Sequence, residues 1–297
     1  MTRILVTGGC GFIGSNFINY WLRSHSEDYI VNLDKMTYAA DESYIDRKLT
    51  TNNYELIRGD IANKELVLSI CENVDIIINF AAESHVDNSI MNPSPFIDSN
   101  YVGVFNLLEA TRRYGLRFHQ VSTDEVYGSV RLDSKEKFYE LSCYHPGNPY
   151  SATKAVADLL VKAYFNSYGI KATISNCTNN DGPNQHPEKL IPKAILNALL
   201  NCQIPIYGEG NQVRDWIFVK DHITALELIL EKGRMGETYL ISAENEKSNL
   251  DIVPTILHMT GKSKELLSFV KDRPRHDVKY SLDSKKVREE LHWVPCN

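Results

Sequence analysis

Short runs of apolar, often β-branched residues alternate with amphipathic stretches over roughly the first 175 residues of the chain. The pattern predicts strands in the segments RILVTG, YIVNLD, YELIRGD, DIIINFAA, RFHQVST and KATISNC. It predicts a helix over residues 12–24, between the first two strands. Strands separated in this way by crossover helices form a parallel sheet that is buried on both faces. We therefore expect a Rossmann-type, doubly wound α/β domain.

Two longer segments carry apolar residues at helical spacing and a glycine near the end, SPFIDSNYVGVFNLLEATRRYG and PYSATKAVADLLVKAYFNSYG. We expect both helices on the same side of the sheet. After about residue 180 the rhythm changes, with predicted helices in PEKLIPKAILNALLN and DHITALELILEKG and short strands in IPIYG, RDWIFV and ETYLIS. This change predicts a first domain at 1–178 and a smaller, partly interleaved C-terminal α/β lobe at 179–297 that mainly binds substrate. The least regular region is 35–53, a polar loop.

Composition narrows the class of protein. The chain has 297 residues, of which 43% are hydrophobic and 24% charged, and a net charge of -6, which argues against a surface that coats nucleic acid. No apolar run approaches the length of a membrane span, and RILVTGG begins at Arg3, which leaves no room for a signal peptide. The six cysteines are scattered and lack metal-site spacing, so we expect free, mostly buried thiols and no metal. These features predict a cytoplasmic protein without nucleic-acid or membrane partners.

The segment ILVTGGCGFIGSNF places Gly8, Gly11 and Gly14 between an apolar strand and a helix. Such glycines permit a tight turn and a close approach of the backbone, and the helix N-terminus offers free N–H groups to a pyrophosphate. A glycine-rich turn can also be purely structural. Asp34, twenty residues after Gly14 at the end of the second strand, favours the dinucleotide site.

The carboxylate of Asp34 can hold the two hydroxyls of an adenosine ribose, and it would repel a 2′-phosphate. No arginine adjoins it, so NAD is expected rather than NADP, although Lys35 weakens that preference slightly. Asp60 and Ile61 follow the third strand and are expected to meet the adenine. An aspartate in that position can also be an ordinary helix cap.

In YSATKA, Tyr150 and Lys154 are four residues apart and so lie on one face of a helix. A tyrosine with its ordinary pKa of about 10 is a poor base at neutral pH. A neighbouring ammonium stabilises the phenolate, so we expect Lys154 to lower the pKa of Tyr150. The spacing alone is common by chance, and it gains meaning from the strand that precedes this helix.

The segment VSTDEVYG places Asp124 beside Glu125 at the end of a buried strand. A solvated turn is one explanation. The other is catalysis, in which one acid of a closely spaced pair stays protonated while the other is a carboxylate. Strict strand alternation would point Thr123 and Glu125 to one face and Asp124 to the other, so the backbone must leave strand geometry near 124 if both acids reach one substrate.

Together with NFAAESHVDNSI, NCTNNDGPNQHPEKLIP and RDWIFVKDH, these segments resemble the nucleoside-diphosphate-glucose 4,6-dehydratases of the extended short-chain dehydrogenase/reductase superfamily. The resemblance covers essentially the whole chain. Its most specific element is the Asp-Glu pair, because related epimerases and decarboxylases have other residues there. It implies an NAD-dependent hydro-lyase acting on an NDP-glucose, with dTDP-glucose as first choice. A UDP-glucose 4,6-dehydratase, an NDP-sugar 4-epimerase and a non-catalytic NAD-sensing module are the alternatives.

The resemblance also implies a role for each catalytic residue. Tyr150 takes the proton of the sugar 4-hydroxyl as hydride passes from C4 to NAD⁺, with Thr123 bonded to the same oxygen. Glu125 then removes the C5 proton, and Asp124 protonates the departing 6-hydroxyl. Hydride finally returns to C6, which gives a 4-keto-6-deoxy sugar.

Further site residues and a partner follow from the same resemblance. The implied cofactor-binding set is Gly8, Gly11, Phe12, Ile13, Gly14, Asp34, Lys35, Asp60, Ile61, Ala81, Ala82, Ser99, Tyr150, Lys154 and Asn179. The implied substrate-binding set is Ser84, His85, Thr123, Asn179, Glu188, Lys189, Arg214, Arg273 and His276. Cys177 is expected near the nicotinamide without being reactive. A homodimer is expected to pair through helices 95–113 and 149–168.

The chain departs from the usual family pattern in several places. Asp181 stands where a tyrosine is usual, Asn88 where arginine is common, and Arg275 where glycine is common. Asp181 and Arg275 leave the specificity for the nucleotide and for the sugar open. In particular, the sequence does not distinguish a thymidine from a uridine nucleotide. The segment AADES replaces a Gly-Asn type of turn, and HWVPCN ends where relatives continue into a final helix, so a short form is expected.

Overall fold

The computed structural model describes residues 1–50, 52–272 and 277–296. The strands are β1 (Arg3–Thr7), β2 (Tyr29–Asp34), β3 (Tyr54–Arg58), β4 (Ile76–Asn79), β5 (Arg117–Thr123), β6 (Lys171–Cys177), β7 (Asn179–Asp181), β8 (Ile204–Tyr207), β9 (Val213–Phe218), β10 (Thr238–Ile241), β11 (Glu246–Ser248) and β12 (Leu267–Val270). The α-helices are α1 (Phe12–Ser24), α2 (Lys64–Cys71), α3 (Val86–Met91), α4 (Ser94–Ile97), α5 (Val104–Tyr114), α6 (Pro149–Tyr168), α7 (Leu190–Leu199), α8 (Val219–Lys232), α9 (Asn249–Met259) and α10 (Lys285–Leu291). Short 3₁₀ helices lie at Glu42–Tyr44, Asp124–Tyr127 and Lys264–Leu266, and a π-helical segment at Asp98–Gly103.

A seven-stranded sheet forms the centre of the molecule, in the order β10-β6-β5-β4-β1-β2-β3. All of its neighbouring strands pair in parallel. The six strands predicted in the first half of the chain are confirmed, and the predicted strand in ETYLIS becomes β10 at one edge. The strand order reverses between β1 and β4, which opens a crevice at the carboxyl ends of these strands.

Helices cover both faces of this sheet. On one face, α1 and α8 contribute Phe17, Trp21 and Leu226 to a core that Trp293 completes. On the other face, α2, α5 and α6 contribute residues such as Leu107 to a second core. Burying one such side chain stabilises the fold by about 1.5–3 kcal/mol. The prediction that the two long helices share one side of the sheet is confirmed.

The two long helices differ from each other in regularity. Helix α6 matches its predicted span, begins with a capping box between Asn148 and Ser151, and ends at Gly169 with a φ of 64°. The other predicted helix is divided into α4, the π-helical segment and α5. Within the π-helical segment, the Asn100 amide bonds the backbone of Glu83 and the hydroxyl of Thr153, which ties α6 to the loop after β4.

The smaller lobe contains a three-stranded sheet, β11-β9-β7, and a two-stranded sheet, β12-β8. Helices α7 and α9 pack over β8 around a core that includes Ala194, Ile206 and Leu257. Helix α8 and strand β10 come later in the chain than residue 178. Strand β10 is nevertheless part of the large sheet, and α8 packs on that sheet, so the C-terminal half of the chain is interleaved with the N-terminal half. The domain boundary after residue 178 stays a prediction.

The polar loop at 35–53 contains, in its described part, only the short Glu42–Tyr44 helix. All six cysteines are free, but the expectation of mostly buried thiols is wrong, since Cys143, Cys202 and Cys296 are exposed. No helix in the described part of the chain combines the length and the apolar character that a membrane crossing requires.

Candidate active site

A cavity of about 330 Å³ occupies the crevice at the carboxyl ends of the parallel strands. Every residue of the predicted cofactor-binding set lines it, from the glycine loop through Asp34 and Tyr150 to Asn179. The predicted residues come from many separate segments, and the parallel strand ends bring them to one place. The predicted cofactor-binding residues therefore line one cavity in the folded protein.

The loop between β1 and α1 leaves room for a pyrophosphate. Gly8 has a φ of +69°, and a Cβ there would lie 2.7 Å from the backbone of Ala81. A Cβ at Gly14 would clash with the Gly8 carbonyl oxygen. Gly11 begins α1 without any side-chain cap, so the first N–H groups of the helix face the cavity. This arrangement fits the diphosphate of a dinucleotide.

Asp34 is held rigidly at the end of β2. Its carboxylate accepts hydrogen bonds from the backbone N–H groups of Cys10 at 2.9 Å and Met36 at 2.8 Å. Lys35 turns to Asp60, with 2.7 Å between Nζ and Oδ2, and this bond raises the pKa of the lysine. Since Lys35 is already paired, the carboxylate of Asp34 remains the dominant charge where a 2′-phosphate would lie, which fits NAD.

A second cavity of about 280 Å³ adjoins the first. The two cavities share Ser84, Glu125, Asn179, Glu188 and Lys189. His85 and Arg214 line the second cavity, and Thr123 lines the first. Arg273 and His276, predicted to bind substrate, lie outside the described residues.

The chain leaves strand geometry where the catalytic hypothesis requires it. Strand β5 ends at Thr123 and a 3₁₀ turn begins at Asp124, as expected. The hydroxyl of Thr123 accepts from the backbone N–H of Glu125 and donates to Asp124 Oδ1 at 3.1 Å. Both acids line the first cavity, and Asp124 is only 3% exposed. A solvated turn is therefore excluded for Asp124.

The two acids lie in unequal surroundings. Burial, and then the charge of Glu125, raise the pKa of Asp124 well above its ordinary value. Burial also raises the pKa of Glu125, but Arg214 and a hydrogen bond from Asn148, 3.4 Å from Nδ2 to Oε2, work in the opposite direction. These surroundings disfavour the ionised form at both acids, and the opposing influences of Arg214 and Asn148 favour the carboxylate at Glu125.

Tyr150 and Lys154 occupy one buried face of α6, but the pKa of Tyr150 is raised in this structure and not lowered as expected. Burial and then the charge of Glu125 raise the pKa of Tyr150 well above 10. The Lys154 ammonium instead donates to the carbonyl of Val121 at 2.7 Å, and burial lowers the pKa of this lysine. One helical turn separates the two groups, and the ammonium directs a hydrogen bond to the neighbouring strand.

Comparison with known proteins decides the family. The sequence model of the family described as GDP-mannose 4,6 dehydratase matches residues 5–296. The chain belongs to this GDP-mannose 4,6-dehydratase family.

Similar members of the family share a name. A dTDP-glucose 4,6-dehydratase of Mycobacterium tuberculosis is 48% identical over 99% of this chain and 88% of its own length. The crystal structure of a Bacillus anthracis dTDP-glucose 4,6-dehydratase in complex with NAD has a TM-score of 0.93 at 40% identity, covering 100% of this chain and 92% of that one. A Streptomyces venezuelae dTDP-glucose 4,6-dehydratase with NAD bound has a TM-score of 0.95 at 39% identity, covering 99% and 92%.

Sequence reasoning missed two polar groups that support the site in this GDP-mannose 4,6-dehydratase family member. Asn148 holds Glu125, and its only sequence signal is its position before Pro149 at a helix start. Asp158 is fully buried and accepts from Ser122 at 2.7 Å and from the Asn176 amide at 3.0 Å. Its spacing of four residues after Lys154 was a usable signal.

The second cavity of this family member contains further missed residues. Arg214 donates to the Asp277 carbonyl at 2.8 Å and stacks over the Tyr280 ring, 4.2 Å from its centroid. Both partners line the same cavity as Arg214. Asp277 directly follows His276, which was predicted to bind substrate, but neither Asp277 nor Tyr280 was itself predicted.

Of the departures from the family pattern, Asp181 and Asn88 line neither cavity, whereas Ala39 and Ala40 of the segment AADES line the first cavity. Asp181 is partly buried on β7, and burial raises its pKa. Asn88 is exposed on α3, 3.4 Å from the Tyr38 hydroxyl. Arg275 lies outside the described residues. Cys177 lines the first cavity, and because burial raises the pKa of its thiol to about 12, it stays unreactive.

Proposed function

We propose that this protein is an NAD-dependent dTDP-glucose 4,6-dehydratase, which removes one water from the sugar and forms a 4-keto-6-deoxyglucose nucleotide. The observation that carries the proposal is the adjacent acids Asp124, which is buried, and Glu125, which is half-buried; both line the first cavity with Tyr150, and Glu125 also lines the second cavity. The names of the similar family members supply the nucleotide. An NAD-sensing module would have no use for two acids with divided protonation.

The first step is oxidation at C4. Bound NAD supplies a hydride acceptor for C4 and, later, a hydride donor for C6. Tyr150 takes the proton of the 4-hydroxyl, and Thr123 bonds the same oxygen. Because Tyr150 is buried among carboxylates, its phenol is a weak acid, and proton removal depends on positive charge near the ring. Lys154 supplies part of that charge from the same face of α6.

The second step is loss of water. The 4-keto group acidifies the proton on C5, and Glu125 removes it as general base. Asp124 then gives its proton to the departing 6-hydroxyl as general acid. The difference in surroundings of the two acids supports this division, since the group with the unpartnered buried oxygen is Asp124.

The second cavity holds the rest of the substrate. Arg214 and Lys189 provide positive charge for the diphosphate, and Asn179 lies where the two cavities meet. Ser84, His85 and Glu188 line the side nearer the sugar. We assign Arg273 and His276 to the nucleotide on the family resemblance alone.

Side-by-side assays with dTDP-glucose and UDP-glucose, read by mass spectrometry, test the proposal. We expect a product lighter by one water from dTDP-glucose, with no net accumulation of reduced cofactor. Asp124→Asn and Glu125→Gln should each lower the rate by about 10²–10⁴-fold. Asp133→Asn, an exposed acid in a loop, is the matched control and should change nothing.

Other products would favour the alternatives. An epimer of unchanged mass would indicate a 4-epimerase, and turnover of UDP-glucose alone would indicate the uridine-specific dehydratase. Full dehydration by both acid variants would disprove the assigned roles.

We also infer that two copies pair through helices 95–113 and 149–168 in the cytoplasm. Large apolar side chains are exposed on these helices, namely Ile97, Tyr101, Phe105, Val156, Leu159 and Tyr168. Antiparallel pairing of such faces between two copies is a common way to bury them. The exposed free thiols are suited to a reducing compartment.

A further inference from the structure

A cluster of three possible metal ligands lies on the outer side of the large sheet, and we call it the His25 cluster. It consists of His25, which directly follows α1, and of Glu227 and Glu231, one turn apart on α8. The three ligand atoms all lie within 4.8 Å of one another. None of these residues lines either cavity of the proposed active site.

The distances suit one ion bound between the three side chains. His25 Nε2 lies 3.6 Å from Glu227 Oε1 and 3.7 Å from Glu231 Oε1. Two ligands of a tetrahedral Zn²⁺ site, each about 2.0–2.2 Å from the metal, are separated by roughly 3.4 Å. Small side-chain movements would therefore bring the three atoms to bonding distance, and water would complete the four positions.

Neighbouring groups fix the orientation of two of the ligands. The hydroxyl of Tyr20 donates to Glu227 Oε2 at 2.6 Å, which leaves Oε1 directed at His25. Burial raises the pKa of Tyr20 to about 12, so this phenol remains a donor. The His25 ring stacks on Trp21 at 4.0 Å with an interplanar angle of 10°. The hydrogen bond from Tyr20 is an outer contact of the kind that orients metal ligands.

The alternative is a simple ion pair between an imidazolium and two carboxylates. His25 Nδ1 is buried and has no hydrogen-bond partner among the described residues. Nε2, on the other side of the ring, is therefore the nitrogen that faces the two carboxylates. The separations from Nε2 to both carboxylates also exceed hydrogen-bond length. One cation between Nε2 and the two carboxylates would bind three groups that are too far apart to hydrogen-bond one another.

We propose that the His25 cluster binds one divalent first-row transition metal, with Zn²⁺ as the probe ion. Imidazole with two carboxylates is a ligand set that such ions accept. Helix α1 has 13 residues and is about 20 Å long, and the glycine loop lies at its other end. The ion would therefore fasten α1 to α8 and stabilise the fold without taking part in the reaction.

Titration of the chelator-treated full chain with ZnCl₂, followed by calorimetry, tests the proposal. We expect one saturable site per chain and a Tm that rises with Zn²⁺. His25→Gln and Glu231→Gln should each weaken Zn²⁺ binding by about tenfold or more and abolish the Tm shift. Glu231 is half exposed, so its variant is not expected to disturb folding. His258→Gln, an exposed histidine at the end of α9, is the matched control and should bind as the unaltered chain does.

The exposed thiols of Cys143, Cys202 and Cys296 can bind Zn²⁺ on their own. The titrations are therefore repeated after these thiols are alkylated, and the site should persist. Equal binding by the unaltered chain and both cluster variants, or no saturable binding by the alkylated chain, would overturn the proposal. Dehydratase activity should be the same with and without Zn²⁺, which separates this test from that of the proposed function.

Discussion

At the scale of single residues, neighbouring acids acquire different chemistry from different surroundings. Asp124 Oδ2 is buried with no hydrogen-bond partner in the described part of the chain, so ionisation there is strongly disfavoured. Glu125 has the Asn148 amide and the positive field of Arg214. Two adjacent side chains of nearly equal ordinary pKa therefore separate into an acid and a base.

Asn148→Ser tests that separation. The hydrogen bond from Asn148 lowers the pKa of Glu125, so its loss should raise that pKa further. Glu125 then loses its basic form at a higher pH as the solution is acidified, and the acid limb of kcat/KM should move upward. We expect a small upward shift, since the bond is long at 3.4 Å.

Serine is chosen because it can still cap α6, whereas alanine would cost about 1 kcal/mol of stability. Asn211→Ser, an exposed asparagine far along the chain, is the control. An acid limb that stays in place, or moves to lower pH, would contradict the role given to Asn148.

Asp34 offers a second test at this scale. Asp34→Asn removes the charge that would repel a 2′-phosphate, while Lys35 stays paired with Asp60. The preference for NAD over NADP, measured as the ratio of kcat/KM values, should fall by about tenfold, which corresponds to roughly 1.4 kcal/mol. Asp41→Asn, an exposed acid in the same loop, should leave the ratio as it is. If the ratio were unchanged in Asp34→Asn, Asp34 would not determine the preference for NAD over NADP.

At the scale of elements, one face of α6 combines the catalytic groups with their support. Tyr150, Lys154 and Asp158 follow at intervals of four residues, and all three are buried. The Asp158 carboxylate raises the pKa of Lys154 against the lowering effect of burial. Ser122 and Asn176, from β5 and β6, fix that carboxylate by hydrogen bonds. The helix is thus fastened to the two strands that carry the site.

Asp158→Asn should weaken the support of Lys154. Without the carboxylate, the pKa of Lys154 falls further, so the ammonium is lost at a lower pH as the solution becomes alkaline. The alkaline limb of kcat/KM should therefore move to lower pH. Asp158→Glu keeps the negative charge, so its alkaline limb should lie close to that of the unaltered protein. A uniform loss of rate at all pH values, with both limbs in place, would instead mean that Asp158 only maintains the structure.

The elements also show what a sequence can predict. Strands buried on both faces produce unbroken apolar runs, and for this reason the interior strands β1, β2, β4, β5 and β6 were predictable from the pattern alone. Strands β7, β11 and β12 have only three or four residues and no period, so they were missed. Site residues within motifs were predictable because their spacing is local. Asn148, Asp277 and Tyr280 reach the site through tertiary packing, which no local pattern records.

At the scale of the whole molecule, the second half of the chain is divided between two layers. Strand β10 and helix α8 complete the large sheet, while β8 and α9 build the smaller lobe. The chain therefore crosses between lobes several times, and this links the substrate cavity to the cofactor cavity. It leaves α4, α5 and α6 on the far side of the large sheet with apolar side chains in solvent.

That exposed face predicts the state of assembly. Leu159 is 55% exposed on α6, and Leu159→Arg would place a charge in the centre of a paired interface. We expect the unaltered chain to sediment as a dimer and the variant as a monomer in analytical ultracentrifugation. Leu199→Arg is the matched control, since Leu199 is 58% exposed but lies on α7, and it should remain a dimer. Because Tyr150 and Lys154 belong to the same helix as Leu159, the monomer should also lose activity and melt at a lower temperature. A monomeric unaltered chain, or a dimer that survives Leu159→Arg, would show that these helices do not form the interface.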